Sequence, residues 1–213
     1  MHTASTRAVL DSASTRTMNT FLATEVDVPG LANWLDALDD RARVAAIRSM
    51  TAHQQARLYE AVQGFRAITL DHLVPAEVPS RVPVVHCGKN SLHAFTLFEK
   101  RFCRPEDGAT RLWGYNEVPR AVRAVAGPGH FVCYALGSTE VLVDYCELPP
   151  AALEGWPVLR PNSAGLSRFI YNRTKDTLRG VSRHVSIGRA AREGRILDNW
   201  FVLCRRDRAP GED

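Results

Sequence analysis

An α+β fold, built on a curved antiparallel sheet or partial β-barrel covered by one long helix and preceded by a short N-terminal helical segment, is what these 213 residues predict. Three observations carry that expectation. Apolar residues recur at helical spacing between 27 and 64. From 82 onward the chain turns to β-branched and aromatic runs separated by glycine-containing turns. Those runs succeed one another in hairpin fashion, which argues against parallel βαβ winding. The composition, 45% hydrophobic and 23% charged with a net charge of +4, excludes disorder as the main state and suffices for a sizeable core. No stretch reaches the ~18 apolar residues of a membrane span, so no membrane partner is expected.

Residues 1–26 read as a flexible arm, rich in Ser, Thr and Ala and without an apolar core that would mark a secretory signal. The segment 27–65 reads as helices packed on the main body. Asp27 caps the first, whose Leu31, Trp34, Leu35 and Leu38 repeat at i, i+3, i+4 and i+7. Asp39-Asp40 restarts the chain into a helix carrying Val44 and Ile47. Thr51 and Gln54 form a capping-box pattern for a third, with Gly64 as a stop. The main domain then spans 66–206, leaving 207–213 as a tail.

Within that domain, Pro75, Pro79 and Pro83 punctuate a crossing into the strand Val82–Val85. Strands are expected over 93–104 and 110–116 around the turn at 105–108, and over 130–136 and 140–148 around Gly137-Ser138-Thr139. Leu166, Phe169, Ile170, Leu178 and Val181 suggest one long helix over 163–182. Residues 183–190 and 195–205 read as a closing hairpin, the apolar run Trp200–Cys204 suggesting a strand covered on both sides.

The five cysteines are odd in number, irregularly spaced and without C-x-x-C, which favours reduced thiols in a cytoplasm over a disulfide framework. The seven histidines show no metal-ligand spacing, so no metal site is expected, and no motif names a cofactor. Gly88-Lys89 fails the P-loop pattern, with Pro83 and Asn90 at its required Gly and Ser/Thr positions. Gly127-x-Gly129 likewise does not continue as a dinucleotide fingerprint, and no nucleophile elbow is present.

Candidate chemistry rests on polar residues inside apolar strands or at glycine turns. His86, His130 and Asp144 are the candidate acid–base groups, with Asp144 as the carboxylate orienting a histidine. Lys89, Asn90, Arg101, Trp113 and Tyr115 are candidate ligand-binding groups: Lys89 and Asn90 in a glycine-containing turn at 86–91 that could hold an anion, and Arg101, Trp113 and Tyr115 in a cationic and aromatic wall suited to a planar or anionic small molecule. Alternation along the second strand places Glu99, Arg101 and Cys103 on one side and Lys100, Phe102 and Arg104 on the other. The charge divides unevenly: residues 1–80 carry 7 basic and 9 acidic groups, and residues 161–213 carry 11 and 6. In that last segment Arg168, Lys175, Arg179 and Arg183 would stripe one helix face and could meet a nucleic-acid backbone. Three readings follow, in this order: small-molecule binding in a sheet concavity, acid–base catalysis in the same pocket, and an interaction or RNA-binding surface.

Overall fold

The computed structural model describes residues 17–93, 96–107 and 110–207; the expected arm before Thr17, Gly108 of the expected turn and the expected tail beyond Asp207 lie outside the described residues. Eight strands run antiparallel in simple up-and-down order: β1 (Val84–Asn90), β2 (Leu97–Cys103), β3 (Leu112–Glu117), β4 (Phe131–Leu136), β5 (Glu140–Asp144), β6 (Thr174–Gly180), β7 (Val185–Arg192) and β8 (Arg195–Arg205). β8 returns to pair with β1, Cys87 facing Cys204 and Gly88 facing Leu203, so the barrel is closed. This overturns the curved sheet or partial barrel covered by one long helix: with β1 paired to β8 the sheet closes fully on itself and no strand edge is left unpaired.

The helix expected over 163–182 does not form. Its span holds one short helix, α7 (Ser167–Ile170), and then strand β6. The apolar residues there do fall at helical intervals. The inward line of β6, however, is Thr174, Asp176, Leu178 and Gly180, of which only Leu178 is a large apolar residue, so the strand's period of two is masked.

The outer wall of β1, β7 and β8 is covered by four helices: α1 (Met18–Leu22), α2 (Val28–Ala37), α3 (Asp40–Arg48) and α4 (Ala52–Ala61). Asp27 accepts the amide of Gly30, Asp39 that of Ala42, and Thr51 with Gln54 closes a capping box, so each of the three longer helices starts at a side-chain cap. Leu31, Leu35, Ile47, Met50 and Leu58 then pack on the outward residues Cys87, Val185, Ile187, Val202 and Cys204. α1 lies within the segment expected to be a flexible arm, yet Met18, Phe21 and Leu22 are buried in this same cluster, with Phe21 against Trp34. Its apolar residues are too few to show a period, and their burial comes from tertiary packing.

The two barrel ends differ. One is stopped by α5 (Leu70–Leu73), whose Leu70 and Leu73 enter the interior with Ile68 and Val74 and pack on Phe102, Leu112, Val141, Val143, Leu178 and Leu203. Three side chains fasten this plug through backbone carbonyls: His86 Nε2 to Leu73, Arg104 to Val74 at 2.7 Å, and Arg205 to His72. At the other end lie α6 (Arg120–Ala126) and α7, and the interior there is not filled.

Candidate functional site

An eight-stranded barrel has an interior just wide enough for side chains to fill or for one small ligand to occupy. Here three glycines decide which occurs. Gly88, Gly114 and Gly188 sit directly opposite Phe98, Phe131 and Phe201 on the neighbouring strands. A Cβ at each glycine would come within 2.5, 2.3 and 2.3 Å of the facing ring. The rings therefore lie flat over bare backbone, an arrangement that only a residue without a side chain allows. Phe131 packs downward with Phe102 and Tyr145, completing the closed half. Phe98 and Phe201 flank the open half.

That open half is a cavity of about 450 Å³. Phe98, Phe201, Val118, Ile170, Leu197 and Ala190 form apolar walls, and Leu92 and Phe169 stand on its lining while remaining 43% and 58% exposed. At its floor lie Lys100, Asn116, Tyr145 and Asp176, contributed by β2, β3, the end of β5 and β6. All four are nearly inaccessible to bulk water.

The Lys100 ammonium is the centre of this group. Its Nζ donates to Asn116 Oδ1 at 3.1 Å and to the Tyr145 hydroxyl, and lies 3.6 Å from Asp176 Oδ2. The rings of Phe131, Tyr145 and Phe201 surround it with centroids 4.9, 4.9 and 5.0 Å away, and Phe98 follows at 5.9 Å. Asn116 Nδ2 is held by the Gly129 carbonyl at 3.1 Å and also reaches Tyr145, which fixes the side-chain oxygen toward the lysine. Tyr145 stacks on Tyr171 with ring centroids 5.2 Å apart. At the mouth Arg192 donates to the Phe169 and Ile170 carbonyls at 2.7 and 2.9 Å, holding α7 over the rim.

Burial dominates the electrostatics. It pushes the Lys100 ammonium below its ordinary pKa, against the attraction of Asp176. It pushes the Asp176 carboxyl up to about 6, with Lys100 and the Tyr145 hydroxyl pulling the other way. The Tyr145 phenol is raised well above its usual range by the same burial and by the neighbouring carboxylate. The floor thus holds an amine whose proton is loosened beside a carboxyl whose proton affinity is raised, in surroundings that exclude bulk water.

Of the residues singled out from the sequence, Asn90 lines this cavity. His86 faces inward but at the stopped end, where burial lowers its pKa to about 3. His130 is fully buried at the entry to β4, 5.9 Å from the Tyr115 ring, with its pKa lowered by burial to about 4. Asp144 lies on the outer face, bonded to Lys175 at 2.7 Å and to the amide of Cys146. The expected grouping of His86, His130, Lys89 and Asp144 in one pocket is therefore not assembled. Lys89 alternates outward between Gly88 and Asn90. Arg101 pairs with Glu99 on the outer face, and Trp113 and Tyr115 also point outward, where Leu153 and Trp156 cover them. Arg101, Trp113 and Tyr115 thus share the outer face, with the two aromatic rings under the chain's own 153–157 segment, and Asn90 lies apart from them in the interior.

The basic stripe is dispersed with its helix. Arg168 stands over Phe169 in α7, while Lys175 and Arg179 lie on the outer face of β6. Arg179 is bonded to Glu140 at 2.7 Å and stacked on Tyr59, and the backbone amide of Arg183 is bonded to Asp36 in α2. Lys100, Asn116, Tyr145 and Asp176 were not selected by sequence reasoning. The usable signal was Phe98-x-Lys100-x-Phe102, a lysine on the aromatic face of a strand, in a chain with only three lysines.

No family model, no curated protein and no solved structure matches this chain.

Proposed function

We propose that this protein binds a small, mainly apolar molecule carrying an oxygen-bearing polar head, taken into the open half of the barrel. The observation that carries the reading is a cavity whose walls are mostly apolar, with Asn90, Thr174, Arg192, Asp198 and Asn199 also in its lining, above a buried floor of Lys100, Asn116, Tyr145 and Asp176. A chain or ring system would lie against Phe98, Phe201, Ile170 and Leu197. Its head would replace part of the hydrogen bonding around Lys100, Asn116 and Tyr145. At about 450 Å³ the space suits a ligand of roughly 10–15 non-hydrogen atoms. A head with a full negative charge would meet Asp176 as well as Lys100, so an alcohol or carbonyl is favoured over a carboxylate. Five free cysteines, four of them buried, support a reducing compartment such as the cytoplasm as the place of action.

Calorimetric titration with octanol, octanoate and octane tests the reading, using the wild type and Ala190→Phe, which places a ring in the cavity from β7. The expected order of affinity is octanol, then octanoate, then octane, with at least about tenfold loss in Ala190→Phe. Equal affinity of both proteins for octanol would overturn it.

A further inference from the structure

Lys100 is the one of the three lysines that lies at the bottom of the open half of the barrel, and among the described residues it is the only amine in the cavity lining. Lys89 stands on the outer face of β1, and Lys175 is half exposed with Asp144 on it. Around the Lys100 nitrogen, the Asn116 oxygen, the Tyr145 hydroxyl and the Asp176 carboxylate converge from three other strand segments, while aromatic rings exclude bulk water. Stability alone gives little reason for such a pair, because well-packed apolar groups of equal volume are commonly about as stabilising as two buried charges. This arrangement has the parts that amine condensation with a carbonyl needs: a desolvated amine, a proton-carrying carboxyl beside it, and an apolar space to hold the carbonyl's remaining chain.

Resting on the binding function proposed above, we infer that Lys100 captures apolar aldehydes as a Schiff base, with Asp176 as the proton carrier. The ammonium first passes a proton to the Asp176 carboxylate, leaving a neutral pair. The nitrogen lone pair attacks the aldehyde carbon, the carbonyl π electrons move to oxygen, and a proton passes from nitrogen to that oxygen to give the carbinolamine. Asp176 then protonates the hydroxyl, the C–O bond breaks, and water leaves as the nitrogen lone pair forms the C=N bond. The products are a protonated imine on Lys100, the Asp176 carboxylate as its counter-ion, and one water. No oxidant or reductant is consumed. Tyr145 and Asn116 position the nitrogen, and the Asn116 side-chain oxygen accepts the one hydrogen left on the protonated imine.

The test is reductive trapping on the full chain with octanal and cyanoborohydride, followed by peptide mapping of all three lysines and the α-amine. The expected result is an octyl group on Lys100 formed at least about tenfold faster than on Lys89, Lys175 or the α-amine, with excess octanol suppressing the Lys100 adduct alone. Lys100→Arg, which retains charge but not nucleophilicity, should lose that adduct. The octanol protection arm needs no variant and remains decisive if Lys100→Arg does not fold. Labelling of Lys89 or Lys175 at an equal or greater rate would overturn the inference. Octanol binding with no Lys100 adduct would overturn it while leaving the binding reading intact. Absence of both would remove the two together.

Discussion

At the residue scale, Lys100 and Asp176 each depend on the other. Removing one leaves an unpaired group in an apolar interior, at a cost of ~3–5 kcal/mol, whereas replacing both by apolar residues is close to neutral. Lys100→Met and Asp176→Leu should therefore each lower stability far more than the double variant does, as read by urea unfolding. Additive losses would contradict the picture of a mutually neutralising pair. His86 supplies a pH signature at the stopped end of the barrel. Its pKa falls from 6.5 to about 3 on folding, because burial disfavours the imidazolium. Between those values the unfolded chain takes up a proton that the folded chain refuses. Its contribution is thus fully present above about pH 6.5 and is lost as pH falls toward 3. Asp176 acts oppositely: its pKa rises from 3.8 to about 6 on folding, so its contribution is present in acid and declines as pH rises through 6. Replacing His86 with Phe should reduce the pH dependence of stability between pH 4 and 6 by about 1 kcal/mol per pH unit, measured from unfolding midpoints. An unchanged slope would show that His86 is not the neutral histidine holding the plug.

At the scale of elements, the plug and the outer helices do different work. Leu73 is fully buried in the interior cluster, and its carbonyl accepts from His86, so Leu73→Ala should cost about 2–5 kcal/mol. Because Leu73 is no part of the cavity lining, octanol affinity measured on the fraction that remains folded should change little. A parallel loss of affinity would show that the two halves of the barrel are not independent. The outer helices are secured by Arg43, whose guanidinium reaches the carbonyls of Leu35 and Leu38 and the Asp207 carboxylate. The caps at Asp27 and at Thr51 with Gln54 were legible in the sequence because each acts on an amide three residues away; Asp39, read only as a restart, caps in the same way. Most of the β strands were legible where one face is apolar, whereas β1 runs on through His86–Asn90, which its glycine and polar residues make look like a turn. β6 was not legible, because an inward line of Thr174, Asp176 and Gly180 looks polar: Thr174 and Asp176 line the cavity, and Gly180 makes room for Ile68 and the Arg66 backbone at the stopped end.

For the whole molecule, closure of the barrel is the property local sequence signals do not contain. The pairing of β1 with β8 joins residues more than a hundred positions apart, and no turn or period encodes it. The same gap explains the site. Lys100, Asn116, Tyr145 and Asp176 come from different strand segments, and they meet only once the register is closed. Without that closure the inside and outside of the barrel could not be told apart from the sequence. Arg101, Trp113 and Tyr115 consequently looked like one wall of a pocket, while Lys100, one residue from Arg101, faces the cavity. The sharpest test of where a ligand goes is therefore an isotope-filtered NMR measurement with ¹³C-labelled octanol. Binding inside the barrel gives nuclear Overhauser contacts from the ligand chain to the rings of Phe98 and Phe201 and from its carbinol end to Lys100 and Tyr145. Contacts to Trp113, Tyr115 or Trp156, with none to Phe98 and Phe201, would place the ligand outside the barrel and overturn the proposed function.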